Sequence, residues 1–330
     1  MMGTDRSGSS RVTQQTLAGF EKYGKTTRRA QFLAEMEQVV PWAQLCALIE
    51  PVYPKGGSGE GGRPPVPLER MLRIYLLQRW FNLSDPAVEE ALYDSAATRS
   101  FARIDLGREP APDETTVCKF SHLLEKHKLG EALFKAVSRH LHEQGIKVSR
   151  GTIVDASIIS APSSTKNKSG ERDPQMHQRA KGKQWFFGMK AHIGVDSQEK
   201  IIHTVKVSAA NVADALALPH LLHGRERRVY GDQAYRGQGD AIRQRAPKAK
   251  DFINQRYRYN GQIDETERRK NRTKSRIRSR VEHAFWIIKG LFGFTKVRYR
   301  GLAKNLHRMQ VTCALANLFM VRRRLLTGWV

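Results

Sequence analysis

Near residue 146 the chain changes character, and that change constrains its fold more than any single motif does. Before it, apolar residues recur every three or four positions, as in Leu68, Met71, Leu72, Tyr75 and Leu76. That is the period of a helix with one buried face. After it come short runs rich in β-branched residues, beginning with 146–159. Segments 186–195 and 201–207 read as two more strands, with the polar run 196–200 as the hairpin turn between them. A helix over 212–222 follows, with Asn211 as its cap, then a strand at 228–230, a helix at 240–245, a strand at 251–254 and a long helix over 275–292. This order predicts an α/β domain with a mixed sheet. The polar stretch 162–184 reads as a mobile loop between the first two strands.

Upstream, residues 1–15 read as a mobile tail. Residues 16–50 read as helical, with Phe20, Phe32, Leu33, Met36, Val39 and Val40 as core candidates. The Gly- and Pro-rich run 54–65 is a loop. Between 68 and 144 the pattern predicts several helices, with Asp85-Pro86 and Asp113 as starts, because a carboxylate caps free amides and Pro suits the first turn. The expected organisation is a tail, a helical N-terminal domain over 16–145 and an α/β domain over 146–330. The helices fit a helix-turn-helix-like DNA-binding unit and a plain support or dimerisation unit equally well.

Charge narrows the partner. Lys plus Arg number 57 against 32 Asp plus Glu, a formal net charge of +25. Such an excess suits a polyanion, and nucleic acid is the usual one. Residues 256–300 alone hold fourteen cations and four acids. A one-sign run that dense suits a DNA backbone better than a solvated face. Cys46, Cys118 and Cys313 are far apart and suggest neither a disulfide framework nor a zinc site, so a reducing cytoplasm is expected. The polar N-terminus shows no apolar signal core, and 309–321 is too short and too interrupted to span a bilayer, so it reads as a buried helix.

Three acids stand out. Asp155 sits in Thr152-Ile-Val-Asp155, a carboxylate inside a β-rich apolar run, which is costly to bury without a partner or a metal. Asp232 sits in Tyr230-Gly-Asp-Gln-Ala-Tyr235, just past a short strand, where many α/β sites lie. Glu282 lies on the late helix. There Ile277, Val281, Ala284, Ile288 and Leu291 form one apolar stripe, and Arg278, Glu282, Phe285 and Lys289 an adjacent one at the core's edge. Taken singly, each acid reads as a cap or an ordinary i, i+4 pair. Together, two Asp at strands and one Glu on a helix supply hard oxygen ligands of the kind Mg²⁺ prefers. Two such ions about 4 Å apart serve in-line phosphoryl displacement, with no covalent protein nucleophile.

These three segments, with Arg278-x3-Glu282-x6-Lys289, resemble the DDE motifs of bacterial insertion-sequence transposases, most closely the insertion-sequence-five family. Upstream, Leu83-Ser-Asp-Pro-Ala-Val-Glu-Glu-Ala-Leu-Tyr-Asp94 and the stretch 112–125 resemble that family's helical N-terminal domain, and Gly188-Met-Lys-Ala-His192 its second catalytic strand. The resemblance spans about 45–320. It implies a ribonuclease-H-like catalytic domain with Asp155, Asp232 and Glu282 as catalytic residues and ligands of two Mg²⁺ or Mn²⁺ ions. It implies cleavage at the ends of a mobile element, joining of the freed 3′-hydroxyl to target DNA, and a homodimer on double-stranded DNA. It also implies a bacterial, nucleoid-associated enzyme with no membrane. Arg278 and Lys289 match DNA-contacting positions. Lys274, Arg276 and Arg280 are added from the basic run. The family pattern often has Tyr where this chain has Ser275. Asp214 is the reserve acid, and Lys190 and His192 alternate on one strand. A transposase-derived protein that binds DNA without cutting it, or a related nuclease without strand transfer, are the alternatives.

Overall fold

The computed structural model describes residues 25–56, 64–168 and 170–328. The proposed tail and Phe20 lie outside them, as does most of the Gly-rich run. Seven helices come first: α1 (Arg28–Val39), α2 (Trp42–Ile49), α3 (Leu68–Trp80), α4 (Asp85–Asp94), α5 (Ala96–Ala102), α6 (Glu114–Lys126) and α7 (Leu129–Glu143). The helical stretch expected up to residue 50 breaks at Pro41, which opens α2. Pro lacks the N–H that a helix interior needs. Helix α4 is capped by Ser84, with Asp85 in its first turn; Asp113 caps α6 through the Thr116 N–H. Helix α3 is buried from Met71 to Trp80 on every side, so it is the centre of this layer. Its Arg73 is 1% exposed and stays charged by pairing with Glu37 and Glu69 and lying 4.1 Å over the Trp42 ring. A buried guanidinium needs such partners on every side.

The second half forms a mixed sheet. Its strands are β1 (Gly151–Ser160), β2 (His177–Lys181), β3 (Gln184–Asp196), β4 (Ile202–Ala209), β5 (Arg228–Gly231) and β6 (Lys250–Ile253). The path runs β2-β3-β1-β5-β6, with β4 also on β3. β1 pairs antiparallel with β3 and parallel with β5, and β5 is parallel to β6. Helices α8 (Asp214–Leu221) and α9 (Gly239–Arg245) follow β4 and β5. The start of α8 carries no side-chain cap, so Asn211 does not serve as one. Strand β2 corrects the loop expected over 162–184: its residues lack the apolar alternation of a half-buried strand because nearly all of them are exposed. A small hairpin, β7 (Arg258–Tyr259) and β8 (Gln262–Ile263), precedes α10 (Glu265–Arg278).

The helix expected over 275–292 is not continuous. It breaks at Ser279, resumes as α11 (Arg280–Trp286) and widens into a π-turn at Ile287–Leu291. The widened turn rotates the stripe, so Val281, Ala284 and Ile288 are buried while Leu291 is 42% exposed. π-turns shift the side-chain register by one position and recur at functional sites.

The last helix, α12 (Leu302–Thr327), ties the halves together. Among the described residues no helix is long and apolar enough to cross a membrane. One apolar cluster runs from Leu33 in α1, through Ile153 and Ile193 in the sheet, to Val321 in α12; a smaller one lies under α8 and α9. On α12 the buried Asn317 grips the first residue of β4: the Ile202 N–H donates to its Oδ1 at 2.7 Å, and its Nδ2 donates to the Ile202 carbonyl at 2.7 Å. Asn317→Ala is expected to orphan both backbone groups and cost about 2–4 kcal/mol. Chemical denaturation checks this; a loss below about 0.5 kcal/mol would show that the grip adds nothing.

Candidate active site

Parallel pairing of β1 and β5 brings two of the acids near each other. Ile153 is opposite Tyr230. Asp155 lies two residues further along β1 and Asp232 just past the end of β5, close enough for the Asp232 charge to act on Asp155. Asp155 accepts from the Ala156 N–H at 2.8 Å, and Asp232 accepts from the Ala234 N–H at 2.9 Å. Gly231, just before Asp232, is tightly packed, so a side chain there would need its neighbours to shift. A Cβ there would lie 3.1 Å from Val154 and 3.2 Å from the Tyr235 ring.

The electrostatics are those of crowded carboxylates. Burial pushes the Asp155 carboxyl up to about 6, and the charges of Asp232 and Asp214 add to that, against the pull of Arg278. Burial also raises Asp232, with Asp214 again adding. Tyr235 completes the ring: its hydroxyl is buried, without a hydrogen-bond partner among the described residues, and its pKa is raised by burial and by all three Asp. Asp155 and Asp232 lie beside an orphaned hydroxyl, with Arg278 as the ion-pair partner of Asp155. Hard oxygen donors in that state fit a divalent cation such as Mg²⁺.

Glu282 approaches from the other direction. Arg278, at the end of α10, reaches Asp155 Oδ2 at 3.5 Å with one nitrogen and Glu282 Oε1 at 3.3 Å with the other. The guanidinium therefore bridges strand and helix. The Glu282 side chain is 63% exposed, and no three His, Cys, Asp or Glu among the described residues are gathered as a ready metal cage. Lys289, on the π-turn, donates to the Ile158 carbonyl of β1 at 2.6 Å. The break at Ser279 and the π-turn thus aim Arg278 and Lys289 at β1 from either side of Glu282.

The added basic residues differ in placement. Arg276 is exposed. Lys274 donates to the Ile253 carbonyl and pairs with Glu267, so it ties α10 to β6. Arg280 donates to the Ser197 carbonyl. Ser275 accepts from Asn254 Nδ2 at 2.9 Å, another link to the end of β6. Trp286 is 58% exposed and stacks on His283 at 6.1 Å.

Lys190 and His192 point away from Asp155. Asp155 is opposite Ile193, whereas Ala156 is opposite His192 and Ile158 opposite Lys190, so the two sets occupy opposite faces of the sheet. Lys190 is 4% exposed, under α8, and pairs with Asp214 at 2.8 Å. The reserve acid therefore joins the site through its charge and is held by a buried lysine. Strand alternation alone could not show this, because the partner lies on another element. A second polar cluster went unseen for the same reason: the fully buried Glu226 accepts from the Thr152 hydroxyl at the start of β1 and from the N–H groups of His223 and Gly224.

Residues 146–318 match the transposase DDE domain family, which is more than half of the chain. The chain belongs to this family. Residues 21–123 match a second transposase domain family. Among solved structures, the chain is similar to the piggyBac transposase of a synaptic complex with hairpin DNA, at 11% identity and a TM-score of 0.45, over 91% of this chain and 77% of that one. The mixed sheet with helices on both faces, preceded by helices, is the ribonuclease-H-like architecture that the sequence resemblance implied.

The Lys190–Asp214 pair makes a prediction separable from chemistry. Lys190→Met is expected to strand Asp214 among like charges and to cost about 3 kcal/mol, whereas Lys190→Met with Asp214→Leu is expected to recover most of that loss. Urea unfolding of the three proteins decides; strictly additive effects would mean that the two side chains are not coupled.

Proposed function

We propose that this transposase cuts phosphodiester bonds at the ends of its own mobile element and joins the freed 3′-hydroxyl to target DNA, with Asp155, Asp232 and Glu282 as its catalytic carboxylates. The supporting observation is the placement of Asp155 on β1 and Asp232 just past the end of the parallel β5, with Arg278 linking Asp155 to Glu282.

Asp155 and Asp232, with Glu282 completing the set, would hold divalent cations, two Mg²⁺ or Mn²⁺ in all. Bound there, such ions stabilise charge on the attacking and leaving oxygens of an in-line displacement. The chain's own groups do the rest. Arg278 faces two carboxylates now; a DNA phosphate at the site offers its guanidinium a better bidentate partner, and the exchange releases Glu282 toward Asp155. Lys289, anchored on β1, adds positive charge beside the same strand. Lys190 holds Asp214 in place beneath the sheet, so the negative charge around Asp155 and Asp232 persists. The exposed cations of α10, Arg276 among them, give an entering duplex a surface of opposite charge.

The partner is double-stranded DNA, element ends and target alike, and joining two ends in one event calls for a pair of protomers. The motif spacing supports placement in the insertion-sequence-five family, and with it a bacterial host and a site of action at the nucleoid.

The test is cleavage of a supercoiled plasmid that carries the element's ends. Cuts at those ends should require Mg²⁺ or Mn²⁺ and vanish with a chelator. Asp155→Asn, Asp232→Asn and Glu282→Gln should each lower cleavage at least a thousandfold while changing DNA affinity less than about threefold. An active Glu282→Gln enzyme would remove Glu282 from the chemistry. Binding without any cutting by the unaltered protein would favour a DNA-binding relic instead.

A further inference from the structure

The hairpin made by β2 and the first residues of β3 takes no part in the site above. β1 ends opposite Gly188 and β4 ends opposite Met189. Beyond Phe187, β3 has only β2 as a partner. Gly188 marks the crossing point: a Cβ there would sit 2.2 Å from the Ile159 carbonyl. Past it the two strands leave the sheet as a free ribbon, closed by Gly182 and Lys183. Gly182 has φ +62°, and a glycine at the first turn position suits a tight hairpin.

Two strands alone are marginal in water. The base of this ribbon is anchored by Met176, which is 2% exposed, and by Arg172 lying 5.5 Å over the Phe187 ring. Arg179 and Lys183 are exposed, and Trp185 is 70% exposed, the most open of the large apolar side chains among the described residues. From residue 174 to 195 the sequence has no acid, but it has Arg179, Lys181, Lys183 and Lys190. A solvent-facing tryptophan on a ribbon with cations and no acids has no internal purpose.

We infer that this ribbon binds duplex DNA away from the cut site. The inference rests on the proposed function for the presence of DNA but depends on different atoms. A two-stranded ribbon fits a major groove. Its cations can take phosphates, and Trp185 offers a flat face for a sugar or base. The charge argues against a second copy of the chain as the occupant, since every protomer is strongly basic. The position gives a register. Ile193 is opposite Asp155, and Lys183 lies ten residues along β3 from it. At ~3.3 Å per residue the tip is roughly 33 Å from the carboxylates. That corresponds to about ten base pairs of duplex.

The experiment uses the full chain and a fluorescein-labelled 40-bp duplex of mixed sequence, in EDTA, so that no cutting intervenes. The triple variant Arg179→Glu, Lys181→Glu, Lys183→Glu should bind at least tenfold more weakly at 0.1 M salt. Its log K against log salt should be shallower by up to about 2.7. Trp185→Ala should weaken binding three- to tenfold. Thermal melting should be unchanged, since Arg179, Lys183 and Trp185 are exposed. A control triple on the helical layer, Lys126→Glu, Lys135→Glu, Lys147→Glu, should lose clearly less. Wild-type affinity and slope in the ribbon triple would overturn the inference. So would an equal loss in the control, or a change in self-association with DNA affinity intact. Asp155→Asn should bind normally here. A wild-type protein that binds through the ribbon but never cuts would remove the proposed chemistry and leave the ribbon's role standing.

Discussion

The parallel pairing of β1 with β5 is the constraint on which the rest depends. It brings Asp155 of β1 near Asp232 just past the end of β5, where two ionised carboxylates repel each other. Burial raises the Asp155 carboxyl to about 6, and the Asp232 charge adds to that. The fold contains the conflict with cations drawn from other elements: Arg278 from α10 on one face and, through Asp214, Lys190 from β3 on the other. Crowded, half-buried carboxylates of this kind are what the proposed divalent-cation chemistry calls for.

The remaining architecture keeps that arrangement rigid. β1 lies between β3 and β5, with helices over both faces. Glu226, buried at the start of β1, satisfies Thr152 and the loop before β5, which fixes the ends of the two strands relative to each other. Helix α12 then joins the edge strand β4 to the helical layer through Asn317 and the shared apolar core. Because that core is continuous from α1 to α12, DNA bound at the helices or at the β2–β3 ribbon, as proposed, would lie at a set distance from the carboxylates. Positioning at distance is the larger part of what a phosphoryl-transfer enzyme supplies.

Much of this was legible in the sequence because it is periodic. The helices before 146, the strands after it and the buried helix near the C-terminus all follow from apolar spacing. Asp155 and Asp232 were legible because a carboxylate in or just after an apolar strand is expensive and invites explanation. What periodicity cannot carry was missed. The break at Ser279 and the π-turn at Ile287–Leu291 leave no local signature, yet they decide where Arg278, Glu282 and Lys289 point. β2 was hidden because an exposed ribbon has no apolar face to alternate. Lys274 looked like part of a DNA-facing run, and only the structure shows it engaged with Ile253 and Glu267. The Lys190–Asp214 pair joins two elements twenty-four residues apart, a distance at which spacing arguments have nothing to say.

The proposed chemistry requires that Asp155 and Asp232 together form a divalent-cation site. The most direct measurement is binding of Mn²⁺ to the unaltered protein, followed by electron paramagnetic resonance of the free ion, beside Asp155→Asn and Asp232→Asn. Saturable Mn²⁺ uptake by the parent chain, lost in both variants while their thermal melting holds, is the predicted result. Uptake that persists unchanged in both variants would contradict the claim, because the cation would then be held somewhere other than between the two strands.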